Sequence, residues 1–409
     1  MKSIVLLLVV ALTSVARGEE ILVPSGESVA QMLAAHPRIL AAAAEVDAAA
    51  ARAQEMRIGP HEFTFDVEGT RRSIEDVDDV TEWNVGVSRG FRWPWKATVA
   101  GDLADVEVEI ARARLEVVWR DLALEYARAW SEWSRAAALV RRARADHEDA
   151  EARVEIQRRN LANGVGLELE LDQLVSDAAI AELALVDARR VELDARLQLH
   201  GLFSDAATTH ASVPLAQVET ADRLDPLEQP IARAAALQAR RAILKARERG
   251  RDRLPDPEVG VFWFDELGGA ETGIGASLSI PLTGRARNAA SNAAHAERRA
   301  FASRSEVTGF ETKITLDRAA LAFESAAEAL EAAQRAAGAA RNAVERMRRG
   351  RELDVVTMTE LIIARRTARA TDAIVTEREH ALVRARLEWA ILAGEWPAAS
   401  PLRALSGAE

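Results

Sequence analysis

The chain has 409 residues, a net charge of −11, 29% charged and 5% aromatic residues, and no cysteine. Without cysteine there is no disulfide framework and no thiolate metal site, and the acidic balance argues against a nucleic-acid partner, which would need a basic patch. Ala, Arg, Glu and Leu dominate, which is the composition of long helices and coiled coils.

The chain opens with Lys2, an apolar run from Ile4 to Leu12, and small residues leading to Ala16-Arg17-Gly18 before Glu19. This is the layout of a secretory signal peptide over 1–18. The apolar run is too short for the roughly 20 residues of a membrane helix, and no later stretch is longer, so any crossing of a membrane falls to strands. Ser28 to Ile58 reads as an Ala-rich helix capped by Ser28 and stopped by Gly59-Pro60.

Alternation then replaces helical spacing. Phe63, Phe65 and Val67 alternate with Thr64, Asp66 and Glu68. After a charged loop from Arg71 to Val80, Trp83, Val85 and Val87 alternate with Asn84, Gly86 and Ser88. Strands are expected at about 62–70 and 82–92. Arg89 interrupts the apolar row. A helix of about 65 residues follows from about Lys96 to Asn160, Asn163-Gly164-Val165-Gly166 breaks it, and a second runs to about Leu199. The apolar steps of 3 and 4 are those of a coiled coil.

After a polar stretch with Gly201, Pro214, Pro226 and Pro230, the pattern recurs: helix, strands at about 257–265 and 273–281, a long helix, a break at Gly350 and a last helix. Val85-Gly86-Val87-Ser88 falls on Ile274-Gly275-Ala276-Ser277. The chain therefore divides into a first repeat at 19–202, a linker at 203–229, a second repeat at 230–396 and a tail at 397–409. Each repeat reads as a rod roughly 100 Å long, with a hairpin of sheet at one end and a glycine turn at the other. Four strands close no barrel, since the smallest membrane barrels have about eight, so a homo-oligomer sharing one barrel is expected. Phe63, Trp93, Trp95 and Trp263 are candidates for an aromatic girdle. The histidines are scattered without metal-ligand spacing, and no nucleophile elbow, metal-ligand cluster or phosphate loop is present. No enzyme, cofactor or resident metal is expected.

His36-Pro37, Val165-Gly166-Leu167, Pro255-Asp256-Pro257 and Pro281-Leu282-Thr283-Gly284-Arg285 stand in an order that resembles the TolC-like outer-membrane efflux family, most closely its CzcC-like heavy-metal branch, over essentially the whole mature chain. The resemblance implies a fold that is mainly α with a small membrane β part. In it, a homotrimer builds a 12-stranded barrel in outer-membrane lipid, continued by an α-helical coiled-coil barrel through the periplasm. It also implies an exit duct for a tripartite pump, with a periplasmic adaptor and an inner-membrane transporter as partners and heavy-metal cations as cargo. Pro94, Pro281 and Gly284 are then strand-to-helix junctions. Gly164, Val165, Gly166, Leu167, Arg349, Gly350 and Arg351 are then adaptor-docking tips. The family narrows its periplasmic end with acids past the glycine turns. Asp172 fits that place, whereas in the second half Asp354 comes early and Thr357 stands where an acid is usual. Asp172 and Asp354 equally suit helix N-termini through the dipole, and both readings stay open. Drug efflux, polypeptide export through the same architecture, and a soluble periplasmic coiled-coil scaffold are the rival functions.

Overall fold

The computed structural model describes residues 22–74, 77–203, 212–218, 225–282 and 284–397. The expected leader at 1–18, Thr283, most of the 203–229 linker and the tail after 397 lie outside the described residues. In chain order the elements are β1 (Leu22–Pro24), α1 (Gly26–Ala34), α2 (Pro37–Ile58), β2 (Phe63–Ile74), β3 (Val77–Gly90), α3 (Pro94–Ala162), α4 (Glu168–Phe203), β4 (Ser212–Pro214), α5 (Pro230–Arg251), β5 (Glu258–Glu266), β6 (Glu271–Ser279), α6 (Arg285–Glu352) and α7 (Met358–Ala393).

Helix, two strands and two helices thus run twice in the same order. The long helices α3 and α6, at 69 and 68 residues, each extend about 100 Å at 1.5 Å per residue. In each half the shorter helices lie along the long one, α2 and α4 on α3, and α5 and α7 on α6. Their facing ends meet in the same way. His36, the N-cap of α2, accepts from Arg38 N through Nδ1 and bonds the Leu202 carbonyl at 3.2 Å through Nε2. Gln229, the N-cap of α5, donates to the Leu392 carbonyl at 3.0 Å. Around the first joint lies the main apolar core, with Leu33, Leu115, Trp119, Leu122, Tyr126, Leu199, Phe203, Leu387 and Trp396. Tyr126 stands edge-on to Phe203 and stacks near Trp396.

Five expectations are corrected. The first helix is two: α1 is capped by Ser25 and not Ser28, and Pro37 restarts the chain as α2 because its fixed φ suits a first helical turn. The segment Arg71 to Val80 is not a loop but a continuation of the hairpin, with Arg71 opposite Thr81 and Arg72 opposite Val80. The helix expected to end at about Leu199 is not interrupted at Gly201 but runs through it to Phe203. Gly350 lies inside α6, whose break comes at Leu353 to Thr357. The linker contributes a strand, β4, that pairs antiparallel with β1 and sets Val213 and Leu215 against the core, so the chain holds more strands than the four expected.

Candidate functional site

Strands β2, β3, β5 and β6 form one antiparallel sheet in that order, with β2 and β6 at its edges. Its register sorts the side chains by face. One face carries, row by row, Phe63, Arg89, Val259 and Leu278; then Phe65, Val87, Val261 and Ala276; then Val67, Val85, Trp263 and Ile274. These side chains are not covered: Phe65 is 67%, Val261 57% and Ile274 79% exposed. The opposite face carries Thr64, Ser88, Gly260 and Ser277, with Asp66, Glu68 and Asn84 beyond. There Phe262 and Phe264 lie across Gly275 and Gly273, in the space a Cβ at those glycines would need. One face is thus apolar between Arg89 at one margin and Asp265 at the other, and the opposite face is mainly polar, the alternation found at a lipid boundary. From Trp83 to Phe91 the face is about 26 Å along the strand, or about 20 Å high at the usual tilt, close to the ~25 Å apolar band of membrane barrels. Arg89 is accounted for: its guanidinium lies 4.7 Å from the Phe63 ring centroid and its Nε donates to the His61 carbonyl, at the helix-end margin of the face.

At that margin the strands pass into the long helices. Trp93 and Trp95 stack at 4.8 Å, Pro94 is the first residue of α3 and Gly284 the N-cap of α6. Pro281 helps line a cavity of about 400 Å³ with His61, Lys96, Asp252, Asp256 and Arg287. Lys96 is buried, with Nζ 3.2 Å from Asp252 and 3.0 Å from Asp256. Asp256 also meets His61 Nε2 at 3.1 Å. Burial alone would raise the Asp256 carboxyl, but hydrogen bonds from Lys96 and His61 outweigh it and hold the group below the usual carboxylate range.

At the far ends of the rods the two turns share their closing hydrogen bonds. Val165 N bonds the Asn160 carbonyl at 2.8 Å and Val355 N the Gly350 carbonyl at 3.0 Å; Gly164 N bonds Leu161 and Asp354 N bonds Arg351. Gly350 therefore corresponds to Asn160, not Gly166. Asp354 takes the place of Gly164 in the left-handed region, with φ 57° against 74°. Asp tolerates this conformation better than most side chains. Asp354→Val is expected to cost about 1–2 kcal/mol and Asp354→Gly nothing, a difference that thermal melts of the extracted protein resolve. Thr357 caps α7 in a reciprocal pair with Glu360, and Asp172 is exposed on the second turn of α4. Val165 and Leu167, at 65% and 61%, and Leu353 and Val355, at 74% and 75%, are bare to solvent. Arg349 pairs within its helix with Glu345, whereas Arg351 crosses to Glu170 at 2.5 Å and so joins the two tips.

The residues that hold the halves together escaped the sequence reading. Asp177, 1% exposed on α4, accepts from Arg366 at 2.9 Å and Arg369 at 3.0 Å, both on α7. Asp372 on α7 binds Arg142 of α3 and Arg341 of α6. Among the described residues no helix is long and apolar enough to cross a membrane, and no cluster of His, Asp and Glu is placed to hold a metal ion.

No protein-family model matches the sequence, and no curated protein matches it. Solved structures do match. A membrane protein from Pseudomonas aeruginosa superposes with a TM-score of 0.76 at 15% identity, covering 93% of each chain. The outer membrane protein VceC of Vibrio cholerae gives 0.72 at 16%, covering 90% of this chain and 96% of its own. The Campylobacter jejuni CmeC outer membrane channel gives 0.72 at 12%, covering 93% and 88%. Over at least 90% of its length, the chain has the fold of these membrane proteins, an outer membrane channel among them.

Proposed function

We propose that the protein is the outer-membrane exit duct of a tripartite efflux pump, a passive conduit and not an enzyme, closed by three copies into a 12-stranded barrel above a periplasmic helical barrel. The observation that carries this reading is the four-stranded sheet with a bare apolar face and two unpaired edges at the end of rods about 100 Å long. In lipid such edges must be closed by further strands. Self-association is also supported along the rods. Leu183, Val186, Leu193 and Leu197 on α4, and Val307, Phe310, Ile314 and Leu321 on α6, are exposed at spacings of 3, 4 and 7, the seam of a coiled coil awaiting a neighbour. The bare tips at Val165, Leu167, Leu353 and Val355 suit an adaptor's helical hairpin.

The test uses the absence of cysteine. In intact cells, Val261→Cys is expected to be shielded from a water-soluble maleimide by lipid, and Val355→Cys to react only once the outer membrane is permeabilised. The protein should fractionate with the outer membrane as a heat-modifiable oligomer. Recovery as a soluble monomer, with both cysteines equally reactive, would overturn the proposal.

Divalent heavy-metal cations are the cargo we favour, following the resemblance to the CzcC-like branch. The polar face of the sheet supports it, with Asp66, Glu68 and Glu82 against Arg72, which is already paired with Glu82 at 3.2 Å. Acidic lining repeated around a barrel favours cations. Deleting the gene is expected to lower tolerance to divalent metals more than to drugs; lost drug or protein export with unchanged metal tolerance would assign the cargo otherwise.

A further inference from the structure

The two ends of the sheet differ in charge. At the hairpin end Asp79, Glu82, Asp265, Glu266 and Glu271 outnumber Arg71 and Arg72. At the helix end the balance reverses, in a chain that is acidic overall. The arginines there are held mainly by main-chain carbonyls: Arg92 by Met56 at 2.7 Å, Arg287 by Asp252 at 2.7 Å, Arg89 by His61 at 3.3 Å, and Arg251 by Trp95. A carbonyl fixes a guanidinium without cancelling its charge. Asp252 and Asp256 are meanwhile bound by the buried Lys96, and the exposed Arg249 stands 3.8 Å from Asp252.

A second feature adds to the same potential. The long helices α3 and α6 both start at this rim, and neither has a side-chain cap or an acid in its first turn. Arg285 is the first residue of α6, where the helix dipole disfavours a cation. Such a residue does not serve the helix. Beside these charges Phe91, Trp95 and Leu282 are exposed, Leu282 by 94%, and the 400 Å³ cavity opens between Arg249, Arg287 and Pro281. Apolar side chains within a few residues of fixed cations, at the edge of an apolar face, match an amphiphile with an anionic head. A free phosphate would have no use for Leu282 or Trp95.

We propose that this rim seats the phosphodiester headgroups of anionic phospholipids in the adjoining leaflet, with the acyl chains lying along the apolar face. The inference rests on reading the sheet as membrane-spanning. The full-length protein, extracted in detergent and given equal phosphatidylglycerol and phosphatidylcholine, is expected to retain the anionic lipid by tenfold or more in native mass spectrometry. The exposed cations Arg89, Arg249 and Arg285 are each worth about fivefold near a charged leaflet, so the triple Arg→Gln variant should lose most of that preference. Should the variant not fold, the wild type decides alone: raising salt from about 0.1 to about 1 M shortens the screening length from ~10 to ~3 Å and should erase the preference. Equal retention of both lipids by the wild type, a preference untouched by salt, or an unaltered preference in a folded variant overturns the proposal. Wild type that enters vesicles of either composition equally well and shows no preference overturns this inference alone. Wild type that enters neither overturns the membrane reading beneath it.

Discussion

Lys96→Met is expected to destabilise the protein by about 2–3 kcal/mol, through the knot beneath the sheet. Lys96 belongs to α3, while Asp252 and Asp256 lie on the link from α5 to β5, so the ammonium ties the first half of the chain to the second where sheet becomes rod. Removing one partner of a fully buried pair costs about 3–5 kcal/mol, because the remaining charge is left uncompensated. Here Asp252 is a third exposed, and water screens part of that loss. Asp256→Asn should do less harm, since Lys96 keeps Asp252. The knot also has a pH signature. The Asp256 carboxyl is held below its unfolded value, so its contribution is fully present above the ordinary carboxylate range and fades only as pH falls through the lower folded value. Thermal unfolding of the extracted protein, followed at neutral and acid pH, should show the wild type losing stability in acid and Lys96→Met already weak at neutrality. Equal stability of the two proteins at neutral pH would remove the knot from the account.

What the sequence disclosed follows from which solvent each segment meets. The strands at Phe63 to Val67 and Ile274 to Ile280 alternate cleanly because the sheet gathers its apolar side chains on one face and its polar ones on the other, and that sorting writes itself into every second residue. Arg71 to Val80 carries no such mark. Beyond the apolar band a hairpin needs only main-chain pairing and cross-strand charges such as Arg71 with Asp79 at 3.0 Å, and its composition then resembles a loop. Gly350 misled for a related reason. A helix tolerates a glycine for about 1 kcal/mol, and here a Cβ at that position would press on Val356, so the residue marks a close approach inside the turn and not the turn itself. The left-handed position went to Asp354, which composition does not single out. Asp177 left a signal that was passed over: it lies in register with Leu174, Ala178 and Ala181 on the buried side of α4, where an unpaired acid has no place. Its partners, nearly 190 residues away, are invisible to local spacing.

Asp177→Ala is expected to be the most damaging change in the coil, costing about 3–4 kcal/mol. The carboxylate is 1% exposed and gathers Arg366 and Arg369 of α7, with Arg153 of α3 at 4.0 Å. Burial alone would raise its carboxyl, yet the bonds from Arg366 and Arg369 outweigh that and hold it low. Its contribution is therefore constant across about pH 5–8 and lost only in strong acid. The site is crowded with positive charge. Burial together with Arg365 and Arg369 pushes Arg153 down to about 10, so it is still protonated at neutral pH. Without Asp177 these guanidiniums repel, and α4 and α7, which touch little elsewhere, should part near the tips. On the proposed reading as a duct, that separation is expected to read out as leak: cells carrying Asp177→Ala should admit a bulky antibiotic that the wild type excludes, and the extracted protein should melt earlier. A variant as tight and as stable as the wild type would refute both expectations. Replacing Asp177, Arg366 and Arg369 together with leucine or methionine separates the causes. If the loss comes from uncompensated charge, the apolar triple variant recovers the stability that the single change removes, and leak that persists in it belongs to the missing ionic clasp between the helices and not to unfolding.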